Sequence, residues 1–103
     1  MDSTKVVAVL SALAQETRLG IFRLLMKAGP DGMSAGAIAK ELGVVASTLS
    51  HHLSLLEHAH LVTSTRSGRH VIYASNLDGA RLLIDFLTED AIDVQPSIGC
   101  AAE

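Results

Sequence analysis

The sequence predicts a mainly α-helical domain with a small β-hairpin, and three observations carry that prediction. Leu49, Leu53 and Leu56 recur at the i, i+4, i+7 spacing of a helix with one buried stripe. After Leu61 the apolar period shortens from 3.6 toward two, over segments rich in β-branched residues. Only Phe22, Tyr73 and Phe86 are aromatic, although 49% of the 103 residues are hydrophobic. The core must therefore be built from Leu, Ile, Val and Ala, which favours helix packed on helix. A chain of this length makes one domain with a modest core, and its surplus apolar surface points to a dimer.

Taken in order, Ser3 is the candidate N-cap of a first helix running to about Ala14, with Val6, Val7, Val9, Leu10 and Leu13 apolar. Gln15 and Glu16 interrupt it. A second helix is expected over residues 17–26, with Leu19, Phe22 and Met26 as its inward stripe. Gly29-Pro30-Asp31-Gly32 is a loop signal. Residues 34–42 read as a short helix, Gly43-Val44 as a tight turn, and the following stretch to about residue 60 as a second amphipathic helix. Residues 62–66 and 69–73 are strand candidates joined by a two-residue turn at Ser67-Gly68. Asn76 can cap a last helix over residues 78–88, with Leu82, Leu83, Phe86 and Leu87 apolar. From Asp90 onward no period survives, so residues 1–90 read as the folded domain and 91–103 as a loose tail. This order of elements is that of a winged helix-turn-helix flanked by terminal helices.

The polar face of the fourth helix is unusual. Opposite its leucine stripe lie Ser47, Ser50, His51 and Ser54, where a merely solvated face carries Lys, Glu and Arg. Short hydroxyl and imidazole side chains suit close contact with base edges and phosphates in the major groove. Ser47 and Thr48, near the helix N-terminus, are placed to reach phosphate or base edges, and Ser50 and His51 are the base-reading candidates. The competing interpretation is a helix hairpin of a bundle whose polar face only meets water. His52 falls about 140° around the helix from Ser47, toward the leucines, and reads as a core-edge histidine rather than a contact. In the hairpin, Arg66, Arg69 and the adjacent His70 can reach a minor groove or flanking phosphates, although arginine also protects exposed edge strands. Lys40 is a further candidate phosphate contact. Arg18 is expected to be structural, paired with Glu16 or with an acceptor across a dimer.

A net charge of −3 looks unsuited to nucleic acid until its distribution is counted. Residues 1–75 carry seven Lys/Arg against five Asp/Glu, whereas residues 76–103 carry one against six. Segregated charge lets one surface attract phosphate while the other stays acidic. The basic excess is thin, so tight binding would need two copies of the site and would weaken steeply with salt. There is no apolar run of about 20 residues to span a bilayer. The N-terminus lacks signal-peptide regions, and a single cysteine excludes an intramolecular disulfide, so a cytoplasmic protein without membrane contact is expected. No Gly-rich phosphate loop, nucleophile elbow or metal-spaced His/Asp/Glu cluster points to an enzyme, and no cofactor is implied. A winged helix that binds proteins instead of DNA is the alternative, supported by the acidic balance.

Three segments carry a resemblance to the ArsR/SmtB family of winged-helix repressors, spanning residues 10–88. They are Ala12-Leu-Ala-Gln-Glu-Thr-Arg-Leu19, Leu42-Gly-Val-Val-Ala-Ser-Thr-Leu-Ser-His-His-Leu53 and Gly68-Arg-His-Val-Ile-Tyr73. The resemblance implies a homodimer joined through its terminal helices, with Val6, Leu10, Leu83 and Phe86 as candidate interface residues. It also implies binding to a palindromic, inverted-repeat DNA operator, with release by a metal, a metalloid such as trivalent arsenic, or an oxidant. The chain departs from the family's sensor patterns. Ser34 and Gly36 stand where thiolate sensors carry a Cys-x-Cys pair, and no histidine lies within residues 78–89. Ala91 and Ile92 occupy the place of an adjacent cysteine pair found in another arsenite-sensing group. Cys100 is the only thiol left as a sensor candidate, and its acidic neighbours argue against a depressed pKa. No metal site is expected.

Overall fold

The computed structural model describes residues 2–91. Its elements are α1 (Ser3–Leu13), α2 (Glu16–Ala28), β1 (Met33–Ser34), α3 (Ala35–Leu42), α4 (Ala46–His58), β2 (Val62–Ser67), β3 (His70–Ser75) and α5 (Leu77–Thr88). The mainly helical architecture with a hairpin is as expected. Residues 92–103, and Cys100 with them, lie outside the described residues. Among the described residues no helix is long and apolar enough to cross a membrane.

The core is aliphatic and sits where four helices and the base of the sheet converge. Ile21, Leu25, Ile38, Leu49, Leu53, Leu56, Leu61 and Val62 are its fully buried side chains, and Tyr73 and Phe86 pack on its margin. The helices α3 and α5 each open on a polar cap. Ser34 accepts from the Ala37 N–H at 3.2 Å and Asn76 from the Gly79 N–H at 3.4 Å.

Four local expectations are corrected. The cap of α1 is Asp2, whose carboxylate accepts from the Lys5 N–H at 2.9 Å, so Ser3 is already helical. In α2 the buried row is Ile21 and Leu25, while Leu19 and Met26 are exposed and Phe22 is half-buried. Apolar residues cover most of that helix's circumference, so periodicity could not choose the inward face. Packing against α1, α3, α4 and β3 chose it. A two-residue strand, β1, pairs Met33 with Tyr73 and Ser34 with Ile72, giving an antiparallel sheet of order β1-β3-β2. Two residues carry no period for a sequence pattern to reveal. The hairpin turn lies one residue later than expected: Ser67 pairs with His70, leaving Gly68 and Arg69 as the central pair. Gly68 has φ 61°, the left-handed geometry that the first central position of a type II′ turn requires.

Candidate nucleic-acid interface

The helix-turn-helix is α3 and α4. α3 ends on Gly43 in the left-handed conformation, and the Val44 N–H closes the turn onto the Ala39 carbonyl at 3.1 Å. Val45 then enters α4 with extended backbone and no side-chain cap. The first intrahelical bond is from the Leu49 N–H to the Val45 carbonyl at 2.9 Å. The N–H groups of Ala46, Ser47 and Thr48 are therefore left for an outside acceptor, at the positive end of a thirteen-residue helix.

Leu49, Leu53 and Leu56 bury one face of α4. Ser47, Thr48, Ser50, His51 and Ser54 are all exposed on the other. Lys40 is exposed on α3. On the hairpin, Arg66 lies opposite Val71 on β2, Arg69 sits in the turn, and His70 opens β3; all three are exposed. Two groups of candidates result, one on the helix-turn-helix and one at the hairpin tip. Among the described residues no side-chain hydrogen bond joins them. A hydroxyl of Ser64 donating to the Glu57 carboxylate at 2.8 Å ties the hairpin base to the end of α4 instead.

His52 is buried at 9% exposure, on the core side as its angular position predicts. Its partner was not legible. The Arg18 guanidinium donates from Nε to the Ala12 carbonyl at 2.7 Å and from a terminal nitrogen to His52 Nδ1 at 3.2 Å. Arg18 is structural, but neither Glu16 nor a second copy of the chain supplies these acceptors. A signal was present: Arg18 precedes Ile21 and Leu25 by three and seven residues, so it lies on their buried row. Burial, then the Arg18 charge, then nearby His51 push the His52 pKa below its ordinary 6.5. The ring is thus held neutral.

The terminal helices α1 and α5 pack together. Val6 and Leu83, candidates for an interface, belong instead to the chain's own core at 4% and 8% exposure. Leu10 is exposed and Phe86 half-buried. The apolar surface these helices leave open also includes Val7, Leu82, Ile84 and Leu87. Among the described residues no group of three His, Cys, Asp or Glu could hold a metal ion.

A family of helix-turn-helix domains matches residues 13–65. Nodulation protein NolR of Rhizobium meliloti is 31% identical, over 94% of this chain and 82% of its own length. An ArsR-like transcriptional regulator from Rhodococcus sp. RHA1 superposes with a TM-score of 0.75 at 28% identity, covering 84% of this chain and 78% of that one. A homodimeric winged helix-turn-helix DNA-binding domain from Mycobacterium bovis superposes with a TM-score of 0.69 at 28% identity, covering 88% and 89%. With its hairpin wing, its uncapped α4 and these likenesses, the chain belongs to the ArsR family of winged helix-turn-helix transcriptional regulators.

Proposed function

We propose that the chain is a homodimeric repressor that binds an inverted-repeat operator and leaves it on an inducing signal. The observation that carries this reading is the exposed Ser47, Thr48, Ser50 and His51 face beside the open N–H groups of α4. A face of short hydrogen-bonding groups with free backbone donors can approach a groove closely. Ser50 and His51 read base edges. Ser47, Thr48 and Lys40 hold phosphates, and Arg66, Arg69 and His70 hold the flanking backbone or minor groove. Two such faces about 34 Å apart, one DNA turn, demand a palindromic site.

The homodimeric relative from Mycobacterium bovis supports the assembly. Val7, Leu10, Leu82 and Leu87 with Phe86 form the surface for it, since Val6 and Leu83 are already used inside the protomer. The signal is not a metal held by paired thiolates at the start of α3, where Ser34 and Gly36 stand.

Fluorescence anisotropy on inverted repeats selected from a random library tests this reading. The expected result is selection of a palindrome, with affinity falling linearly in log salt. Addition of trivalent arsenic and then of an oxidant shows whether Cys100 has a role. Failure to select any sequence, with weak and salt-insensitive association, would place the chain among protein-binding winged helices.

A further inference from the structure

Three helices meet at one guanidinium. Arg18, at the start of α2, reaches back to the Ala12 carbonyl in the last turns of α1 and across to His52 in the middle of α4. His52 is the one buried polar side chain among the described residues. Arginine has no acceptor, so Nδ1 of His52 must be the unprotonated ring nitrogen and Nε2 carries the hydrogen. The next residue outward is His51, whose ring centroid lies 5.9 Å from that of His52.

We infer that Arg18 is a positioning residue for DNA reading: through His52 it sets the rotation of α4 on the α1–α2 body and so aims Ser47, Ser50 and His51. The inference rests on the DNA-binding reading above. The leucine stripe holds α4 down but is non-directional. A roll of about 10° moves a side-chain tip lying about 5–6 Å from the helix axis by about 1 Å, enough to misalign a base contact. Hydrogen bonds from a planar fork to two fixed acceptors resist that roll.

The strut is sensitive to protonation. A proton on Nδ1 removes the acceptor and sets imidazolium against guanidinium. Burial opposes that charge most, and the Arg18 and His51 charges add to the opposition. The other charged groups on elements packed against α4 include Lys5 on α1, Glu16 and Arg23 on α2, Lys40 and Glu41 on α3, and Arg66 on β2; none is among the groups that shift the ring.

The test uses the full chain with Arg18→Met and His52→Gln, the latter keeping an acceptor without a titratable ring. Arg18→Met should remain cooperatively folded, lose about tenfold in operator affinity and keep its affinity for unrelated DNA. As the pH is lowered below 6.5, wild-type affinity should fall relative to His52→Gln. Residual dipolar couplings of the DNA-free protein supply a separate readout. They should show α4 rotated on α1–α2 in Arg18→Met and in the wild type at the lower pH, but not in His52→Gln. An unrotated α4 in folded Arg18→Met overturns the proposal, as does equal loss on all DNA. If Arg18→Met does not fold, the comparison of wild type with His52→Gln across pH decides. If the wild type selects no DNA sequence, the repressor reading fails while the couplings still decide the role of Arg18.

Discussion

At the residue scale, the proposed repressor role divides the chemistry on α4 and the wing into reading and holding. Replacing His51 by Ala should cost about 1–3 kcal/mol on the selected operator and relax preference at one base position. Replacing Arg69 by Ala should weaken all sequences alike and lower the salt slope by about one. A uniform loss for the His51 change would make it a phosphate contact. A different residue controls how α5 is seated. Gly79 lies against the His60 carbonyl so closely that a Cβ would overlap it, and the Asn76 amide donates to the same carbonyl at 2.9 Å. Gly79→Ala should therefore destabilise the fold by about 1–3 kcal/mol in urea unfolding. Wild-type stability in that variant would mean that α5 is not docked on His60. Exposed Ser47, Ser50 and His51 were legible because their place follows from a single helix's period. The Arg18–His52 contact was not, because its partners are 34 residues apart and neither alone specifies the other.

At the element scale, α4 is built with an open N-terminus. Val45 is 70% exposed and gives no side-chain cap. Val45→Asp should stabilise the folded chain by about 0.5–2 kcal/mol by accepting from those N–H groups. It should also weaken DNA binding severalfold, since the carboxylate takes the donors and repels phosphate. Thermal melts and anisotropy on one preparation check both signs, and a stabilised variant that binds DNA normally would remove the N-terminus from the interface. Legibility at this scale followed the strength of local signals. Gly43 and Asn76 punctuate α3 and α5 at the positions the sequence indicates, while Ser34, read as the first residue of its helix, is the cap of α3. The α2 face and the β1 strand needed tertiary partners, and the hairpin turn shifted by one residue because only Gly68 suits its left-handed position.

At the scale of the whole molecule, folding and assembly use different apolar residues on the same helix. Leu82 is 52% exposed and Leu83 8%. Leu82→Glu should give a folded monomer that no longer binds the operator, whereas Leu83→Glu should unfold the protomer by burying an unpaired carboxylate. Sedimentation with circular dichroism separates the two, and a dimeric Leu82→Glu would place the interface elsewhere. Stability should also depend on pH through His52. Its folded pKa lies below the unfolded 6.5, so as pH falls the unfolded chain takes the proton first. The contribution is full above pH 6.5 and is lost as pH falls through the folded value. The urea midpoint of the wild type should therefore drop relative to His52→Gln on acidification. An unchanged difference would mean that His52 titrates alike in both states.

The sequence by itself determined the order of the five helices and the hairpin, the leucine stripe of α4, the polar groups opposite it and the segregation of charge. Each of these follows from local period, capping chemistry or composition. Tertiary structure alone decided which face of α2 turned inward, that Val6 and Leu83 serve the protomer's core, and that one guanidinium joins three helices. The physical reason is that periodicity describes a helix relative to its own axis. Which direction around that axis is buried, and what stands there to accept a hydrogen bond, depends on neighbours distant in the chain.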